Sequence, residues 1–222
     1  MQESALLSPR RRRLPALLLA LLLAPASLAF FGAPAPLLRG AGALLVADDP
    51  LPKADVIVVA TGSDGAGTLE AADLVKAGVA PLVAVFADPP DPVVDREFLR
   101  RGIPYEDAGA RMLRQLRALG VTTVEEIPRA VAGTSDEGKV LPEWCDRRGF
   151  RAVVVVTTAD HSRRLGRVLR RSMQGHATLV TVRAARFSPF DPERWWESRE
   201  GTRTQLIELQ KLLLDVVTHP LS

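Results

Sequence analysis

Cysteine is almost absent from this chain of 222 residues, because Cys145 is its only example. A disulfide scaffold and a multi-cysteine zinc or iron–sulfur site each need several thiols, so the sequence excludes both. Histidine is also scarce, since His161, His176 and His219 are too few for a histidine-rich metal centre. Charged residues make up 25% and apolar residues 47% of the chain, which is ordinary for a globular protein and unlike a disordered or polytopic membrane protein.

The small positive charge of the chain is confined to its N-terminus. The formal net charge is +3, and the four residues Arg10, Arg11, Arg12 and Arg13 together with Glu3 account for all of it. The remainder of the chain is neutral and therefore lacks the basic surface that binds DNA or RNA. We expect no nucleic-acid partner.

The N-terminal segment is typical of an export or membrane-anchoring sequence. Its arginines precede the uncharged apolar run Leu14–Phe31, as in a signal peptide or a short membrane helix, and both alternatives remain open. The charge distribution places the following domain outside the plasma membrane, either anchored in the cell envelope or secreted after cleavage. We predict a membrane or signal helix at 1–31, a linker at 32–47 lying on the domain or near the membrane, and a domain at 48–222.

Strand and helix patterns alternate through the rest of the chain. The runs Val56–Ala60, Leu82–Phe86 and Ala152–Thr157 are continuous and apolar, as parallel strands buried on both faces require. Shorter strands are predicted at Val124–Ile127 and Thr178–Val182. Helices are expected at 68–77, 94–101, 105–119, 134–148, 163–171 and 201–217. This alternation predicts a three-layer α/β/α sandwich of Rossmann-like type with a mainly parallel sheet.

Three loops are candidates for a ligand site, because ligands of such folds bind beyond the carboxyl ends of the strands. The first contains Thr61, Gly62 and Ser63, small residues that let the backbone approach a ligand closely. It matches neither the dinucleotide-binding G-x-G-x-x-G pattern nor the P-loop. The chain also lacks the G-x-S-x-G motif of common serine hydrolases.

The second loop leads into a predicted helix at Thr134–Glu137. One interpretation is a plain capping box, in which Thr134 or Ser135 and the acidic side chain three positions on satisfy the helix start. The other is functional, with Thr134 binding a ligand oxygen and Glu137 serving as a base, an orienting group or a metal ligand. Both interpretations remain open.

The third loop, Thr157–Arg164, carries most of the candidate chemistry. At the start of a helix, free N–H groups and the helix dipole favour an anion, which Arg163 or Arg164 could bind bidentately. His161 could act as an acid or a base near neutral pH. In the structural alternative, Asp160 caps the helix, His161 makes a structural hydrogen bond and both arginines are solvated.

Several motifs together carry a resemblance to a known family. They are VIVVATGS at 56–63, GTSDE at 133–137, VVTTADHSRR at 155–164, the N-terminal membrane segment, and a tail with Trp195-Trp196, Glu208 and Lys211. In this order the chain resembles the YdcF/SanA/ElyC-like group (domain of unknown function 218) over about residues 48–217. The resemblance implies an envelope-associated bacterial protein with a Rossmann-like domain, linked to peptidoglycan biogenesis and lipid-carrier handling. It implies site residues at Gly62, Glu70, Thr134, Glu137, Thr157, Thr158, His161 and Arg164.

We therefore expect a protein that binds or acts on a phosphorylated ligand, of lipid-carrier or peptidoglycan-precursor type, in cell-envelope biogenesis. An enzyme of this kind would be a hydrolase or transferase with His161, Glu137 and Asp160 as its catalytic groups. The expected binding residues are Thr61, Gly62, Ser63, Glu70, Thr134, Thr157, Thr158, Arg163 and Arg164. No metal is expected, and the cofactor is left open. The alternatives are a non-catalytic domain for a nucleotide- or S-adenosylmethionine-type ligand and a structural envelope partner protein.

Overall fold

The computed structural model describes residues 34–47, 49–86, 89, 93–128 and 131–220. Within these ranges five strands alternate with seven α-helices. The strands are β1 (Val56–Val59), β2 (Leu82–Phe86), β3 (Val124–Ile127), β4 (Ala152–Thr157) and β5 (Leu179–Ala184). The helices are α1 (Ala35–Ala43), α2 (Asp64–Lys76), α3 (Val94–Arg100), α4 (Ala108–Ala118), α5 (Thr134–Arg148), α6 (Ala159–Ser172) and α7 (Arg199–Thr218). A short 3₁₀ helix, Trp195–Glu197, precedes α7.

The strands form one parallel sheet in the order β3-β2-β1-β4-β5. Strand β1 lies at its centre, with Val56 paired to Leu82 on one side and to Val153 on the other. All four residues of β1 are β-branched and fully buried, which suits a strand covered on both faces. The predicted α/β fold of Rossmann-like type is confirmed.

Helices cover both faces of the sheet, because successive residues of a strand point to opposite sides. On one side Val58 and Val155 pack in a cluster with residues of α5 and α6. On the other side Ile57 and Val154 pack in a cluster with residues of α2 and α4. Apolar side chains therefore cover both faces of the sheet. Polar side chains lie at the ends of β1 and β4.

Helix α1 packs against the domain. Leu38 and Leu45 are buried in a cluster with Phe190 and Trp195. The indole N–H of Trp195 donates to the carbonyl of Leu38 at 2.8 Å. Residues 32–47, predicted as a linker on the domain or near the membrane, thus include a helix that contributes to an apolar cluster.

The predicted membrane or signal helix at 1–31 lies outside the residues that the structure describes. Among those it does describe, no helix combines the length and the apolar character needed to cross a membrane.

Two helices begin a full turn earlier than the sequence predicts. Helix α6 begins at Ala159 instead of residue 163, and α2 begins at Asp64 instead of residue 68. Their first turns are rich in glycine and in short polar side chains, which are also typical of loops. The earlier start of α6 matters for function, because most of Thr157–Arg164 is helix and its side chains point in directions fixed by the helical period.

Candidate functional site

An open cleft of about 900 Å³ lies where β1 and β4 end. These are the neighbouring strands at which the order of the sheet reverses, the usual ligand position in Rossmann-like folds. The turn after β1, the start of α5, the first turn of α6 and part of α7 form its wall. The predicted site residues on this wall are Thr61, Gly62, Thr134, Thr158, Asp160, His161 and Arg164. The fold thus brings together the three loops selected from the sequence.

Two glycines shape the rim of the cleft. Gly62 has a φ of 73° and Gly133 a φ of 136°, both in the region that favours glycine. Gly133 occupies the cap position of α5, so neither Thr134 nor Ser135 caps this helix. Thr134 follows this turn as the first residue of α5, and its hydroxyl contacts the side chains of His161 and Arg164.

The imidazole of His161 lies at the centre of a hydrogen-bond network. Its Nε2 is 2.9 Å from Oγ1 of Thr134, while its Nδ1 is 2.9 Å from Nη2 of Arg164 and 3.3 Å from Oε2 of Glu208. Arginine can only donate, so Nδ1 accepts from Arg164 when the ring proton is on Nε2. A proton on Nδ1 is donated to Glu208 instead. The ring can therefore offer Thr134 either a donor or an acceptor.

Arg164 connects the other members of this network. It follows His161 by three positions on α6, so the two side chains share one helix face. The guanidinium donates to Oε2 of Glu208 at 3.1 Å and to Oγ1 of Thr134 at 3.2 Å. Its side chain is 16% exposed, which leaves part of its donor surface in the cleft. A held guanidinium of this kind suits phosphate or carboxylate recognition.

Glu208 of α7 was not among the predicted site residues, and neither was Lys211. The Nζ of Lys211 donates to Oε1 of Glu208 at 2.6 Å. Burial disfavours the charged carboxylate, but hydrogen bonds from His161 and Lys211 and the charge of Arg164 outweigh it and lower the pKa of Glu208 to about 2. Glu208 is therefore a carboxylate at neutral pH. A Glu–Lys pair three positions apart within the apolar stretch LIELQKLLL was the available signal.

Glu137 is buried behind the cleft wall. Its Oε1 accepts the backbone N–H of Thr61 at 2.7 Å and the Thr61 hydroxyl at 3.0 Å. Its Oε2 is buried and has no hydrogen-bond partner among the described residues. Burial raises the pKa of Glu137, although the bonds from Thr61 and the charge of His161 act in the opposite direction. This side chain ties the start of α5 to the end of β1 and so fixes two walls of the cleft.

Asp160 lies on the cleft wall beside Thr158. Burial raises the pKa of Asp160, and a hydrogen bond with the Thr158 side chain partly opposes the rise. A carboxyl group with a raised pKa is suited to hold and donate a proton. In the described part of the chain, no three His, Cys, Asp or Glu side chains are arranged to hold a metal ion.

Arg163, the second predicted anion-binding arginine, is not part of the cleft wall. It lies about 100° around α6 from its neighbour Arg164, because each helical residue rotates by that angle. Its guanidinium donates instead to the carbonyl oxygens of Ala43 and Val46. The structure therefore assigns Arg163 to the attachment of α1.

Three further predicted binding residues also lie away from the cleft wall. Glu70 is buried and pairs with Arg183 at 3.2 Å and Arg186 at 2.9 Å, which links α2 to the region of β5. The hydroxyl of Ser63 donates to the carbonyl of Ala60. The hydroxyl of Thr157 is buried without a hydrogen-bond partner in the described ranges.

No protein-family model matches this chain, and no curated protein matches it. Among solved structures, it is similar to HcgE from Methanothermobacter marburgensis, a protein solved with guanylylpyridinol and ATP bound. The similarity covers 77% of this chain and 100% of HcgE, at 15% sequence identity and a TM-score of 0.27. At this level the similarity says nothing about the ligand of this chain.

Proposed function

We propose that the cleft binds a phosphorylated ligand and catalyses transfer of its phosphoryl group to water or to another acceptor. The observation that carries the proposal is the position of His161, held between the hydroxyl of Thr134 and the carboxylate of Glu208 with the guanidinium of Arg164 beside it. Phosphate recognition needs fixed positive charge, and proton transfer needs a side chain that can both accept and donate a proton. The cleft supplies both within one network.

The arrangement of helices supports an anionic ligand. Helices α5 and α6 both begin at the cleft, with Thr134 and Ala159 as their first residues. The positive end of each helix dipole therefore adds to the charges of Arg164 and Lys211, which line the same cleft. A phosphate group fits this combination better than a neutral ligand does.

The carboxyl groups around His161 have different environments, which suits them to different roles. Glu208 is a carboxylate at neutral pH and can orient His161 through Nδ1. His161 then exchanges protons at Nε2, which faces Thr134. Asp160 lies on the cleft wall, where burial favours its protonated form by raising its pKa, and it supplies a proton to the leaving oxygen. Glu137 acts from behind the wall by holding Thr61.

The cellular setting is proposed from the sequence. The arginine cluster and apolar run at 1–31 suit an export signal or anchor, and the motifs resemble the YdcF/SanA/ElyC-like group. We propose a role in cell-envelope biogenesis, with the domain outside the plasma membrane and a lipid-carrier or peptidoglycan precursor as the phosphorylated ligand.

The proposal is tested by removing the imidazole. The full chain is assayed for phosphate release from p-nitrophenyl phosphate, a short-chain polyprenyl phosphate and a nucleotide sugar between pH 5 and 9. Because general acid–base catalysis typically contributes about 100- to 10,000-fold, His161→Ala should lower kcat by that factor.

The matched control is another histidine that pairs with a carboxylate, His176. Its Nδ1 lies 2.7 Å from Oδ2 of Asp146 at an exposed position outside the cleft, so His176→Ala should keep wild-type activity. Equal losses in both variants would overturn the proposal. Ligand-dependent thermal stabilisation without turnover would instead indicate a non-catalytic binding domain, and S-adenosylmethionine is included in that assay to test the alternative ligand.

A further inference from the structure

The side chains of Thr134, His161 and Glu208 form a hydroxyl–imidazole–carboxylate series. Oγ1 of Thr134 lies 2.9 Å from Nε2 of His161, and Nδ1 of His161 lies 3.3 Å from Oε2 of Glu208. A nucleophile within hydrogen-bond reach of a base, with a third group that orients the base, is the usual geometry of covalent catalysis. Resting on the phosphoryl-transfer function proposed above, we propose that Thr134 is the nucleophile and carries the phosphoryl group in a covalent intermediate.

Arg164 supports this role for Thr134 in particular. Its Nη1 donates to Oγ1 of Thr134 at 3.2 Å, so a fixed positive charge stabilises negative charge that develops on the hydroxyl oxygen. Thr134 is also the first residue of α5, where the helix dipole has the same effect. The other hydroxyls predicted for the site have different surroundings. Ser63 donates to a backbone carbonyl and Thr61 to Glu137. Thr158 bonds to Asp160, and the hydroxyl of Thr157 is buried without a hydrogen-bond partner in the described ranges.

The same contacts explain how a ligand would activate the hydroxyl. In the structure Nη2 of Arg164 lies 2.9 Å from Nδ1 of His161, an arrangement that keeps the ring proton on Nε2. A bound phosphate draws Nη2 to its own oxygens. The ring proton then lies on Nδ1, whose N–H donates a hydrogen bond to Glu208, and Nε2 is free to accept the proton of Thr134. Arg164 therefore couples phosphate binding to the tautomer of His161.

The reaction proceeds in two balanced steps. In the first, Oγ1 of Thr134 bonds to phosphorus as the bond between phosphorus and the leaving oxygen breaks. The hydroxyl proton passes to Nε2 of His161, and Asp160 gives its proton to the leaving oxygen. In the second step, water bonds to phosphorus and the bond to Oγ1 breaks. Asp160 recovers a proton from that water, and His161 returns its proton to Thr134.

The test separates Thr134→Val, which keeps the volume but removes the hydroxyl, from Thr134→Ser, which keeps a hydroxyl. With p-nitrophenyl phosphate as probe, Thr134→Val should lose at least 100-fold in kcat and Thr134→Ser should retain part of the activity. Acid quenching during turnover, followed by peptide mass spectrometry, should find a phosphoryl group on Thr134 in the wild type. In Thr134→Ser the group should be on the serine, and Thr134→Val should carry none.

The outcomes distinguish this inference from the function on which it rests. Turnover that persists in Thr134→Val, with no phosphorylated peptide in the wild type, would overturn the nucleophile and leave phosphoryl transfer by direct attack of water. No turnover by the wild type would overturn both. Circular dichroism of the two variants shows whether each is folded, and the position of the adduct in Thr134→Ser remains decisive if Thr134→Val does not fold.

Discussion

A chain that begins at residue 48 should unfold much more readily than a chain that begins at residue 34. The shorter chain lacks α1 and the residues that follow it, so it loses Leu38 and Leu45, which are buried in a cluster with Trp195. Burying one leucine contributes roughly 1.5–3 kcal/mol, so the free energy of unfolding should fall by about 3–6 kcal/mol. Because a typical domain has only ~5–15 kcal/mol, this is a large loss. Urea denaturation followed by tryptophan fluorescence measures it.

Two glycines of α1 provide a matched pair of point variants in the full chain. A methyl group at Gly42 would overlap the carbonyl oxygen of Pro192, whereas one at Gly40 would meet open space. Gly42→Ala should therefore lower the free energy of unfolding by about 1–3 kcal/mol. Gly40→Ala should raise it by up to ~1 kcal/mol, because alanine favours helix over glycine. Equal stability of the two truncated chains, or effects of the same sign in the two variants, would contradict this account of α1.

Loss of α1 should also affect the cleft, because the segment after α1 contacts the first turn of α6. The backbone N–H of Ala47 donates to the hydroxyl of Ser162 at 2.8 Å, and the backbone N–H of Arg163 donates to the carbonyl of Leu45 at 3.0 Å. Ser162 and Arg163 directly follow His161 on α6. A chain that begins at residue 48 should consequently bind phosphorylated ligands more weakly than a chain that begins at residue 34.

Replacing Glu208 by glutamine should remove a pH-dependent part of the stability. In the folded protein the pKa of Glu208 is about 2, below the ordinary value of 4.5, although the side chain is only 10% exposed. A shift of this size corresponds to roughly 3 kcal/mol of stabilisation of the folded state. Glu208→Gln should therefore lower the free energy of unfolding at pH 7 by about that amount.

The pH window of this effect follows from the direction of the shift. A carboxyl group with a lowered pKa stabilises the fold above its unfolded pKa, and the contribution is lost as the pH falls from about 5 towards 2. The wild type and Glu208→Gln should thus differ most at pH 7 and converge near pH 2 in denaturation curves. The control is Glu200→Gln on the same helix, since Glu200 makes only an exposed ion pair with Arg203 at 3.7 Å. A constant difference across the pH range would contradict the assignment.

The sheet could be predicted from the sequence because its strands are almost wholly apolar. A continuous apolar run such as Val153–Val156 is typical of a parallel strand that helices cover on both faces. Its secondary structure and approximate bounds can therefore be predicted from the sequence. The parallel order then places the candidate loops at the same edge of the sheet. The location of the cleft, and the presence of Thr134 and His161 in its wall, could therefore be predicted.

The contacts within the cleft depend on information that a local pattern does not contain. Arg163 and Arg164 are equivalent in sequence, and only the true start of α6 decides that Arg164 faces the cleft while Arg163 faces α1. Glu208 lies 44 residues after Arg164 and reaches it only through the packing of α7 on α6. The resemblance implied Glu70 as a site residue. In the structure its buried carboxylate pairs with Arg183 and Arg186, away from the cleft wall.

Phosphate binding by Arg164 in the cleft can be measured by calorimetric titration of inorganic phosphate into three forms of the full chain. Arg164 and Arg167 provide a matched pair, since each side chain is 16% exposed and pairs with a 10% exposed carboxylate of α7. We predict that the wild type and Arg167→Ala bind phosphate with similar affinity, while Arg164→Ala binds at least tenfold more weakly. Equal affinity in all three forms, or an equal loss in both variants, would contradict the account.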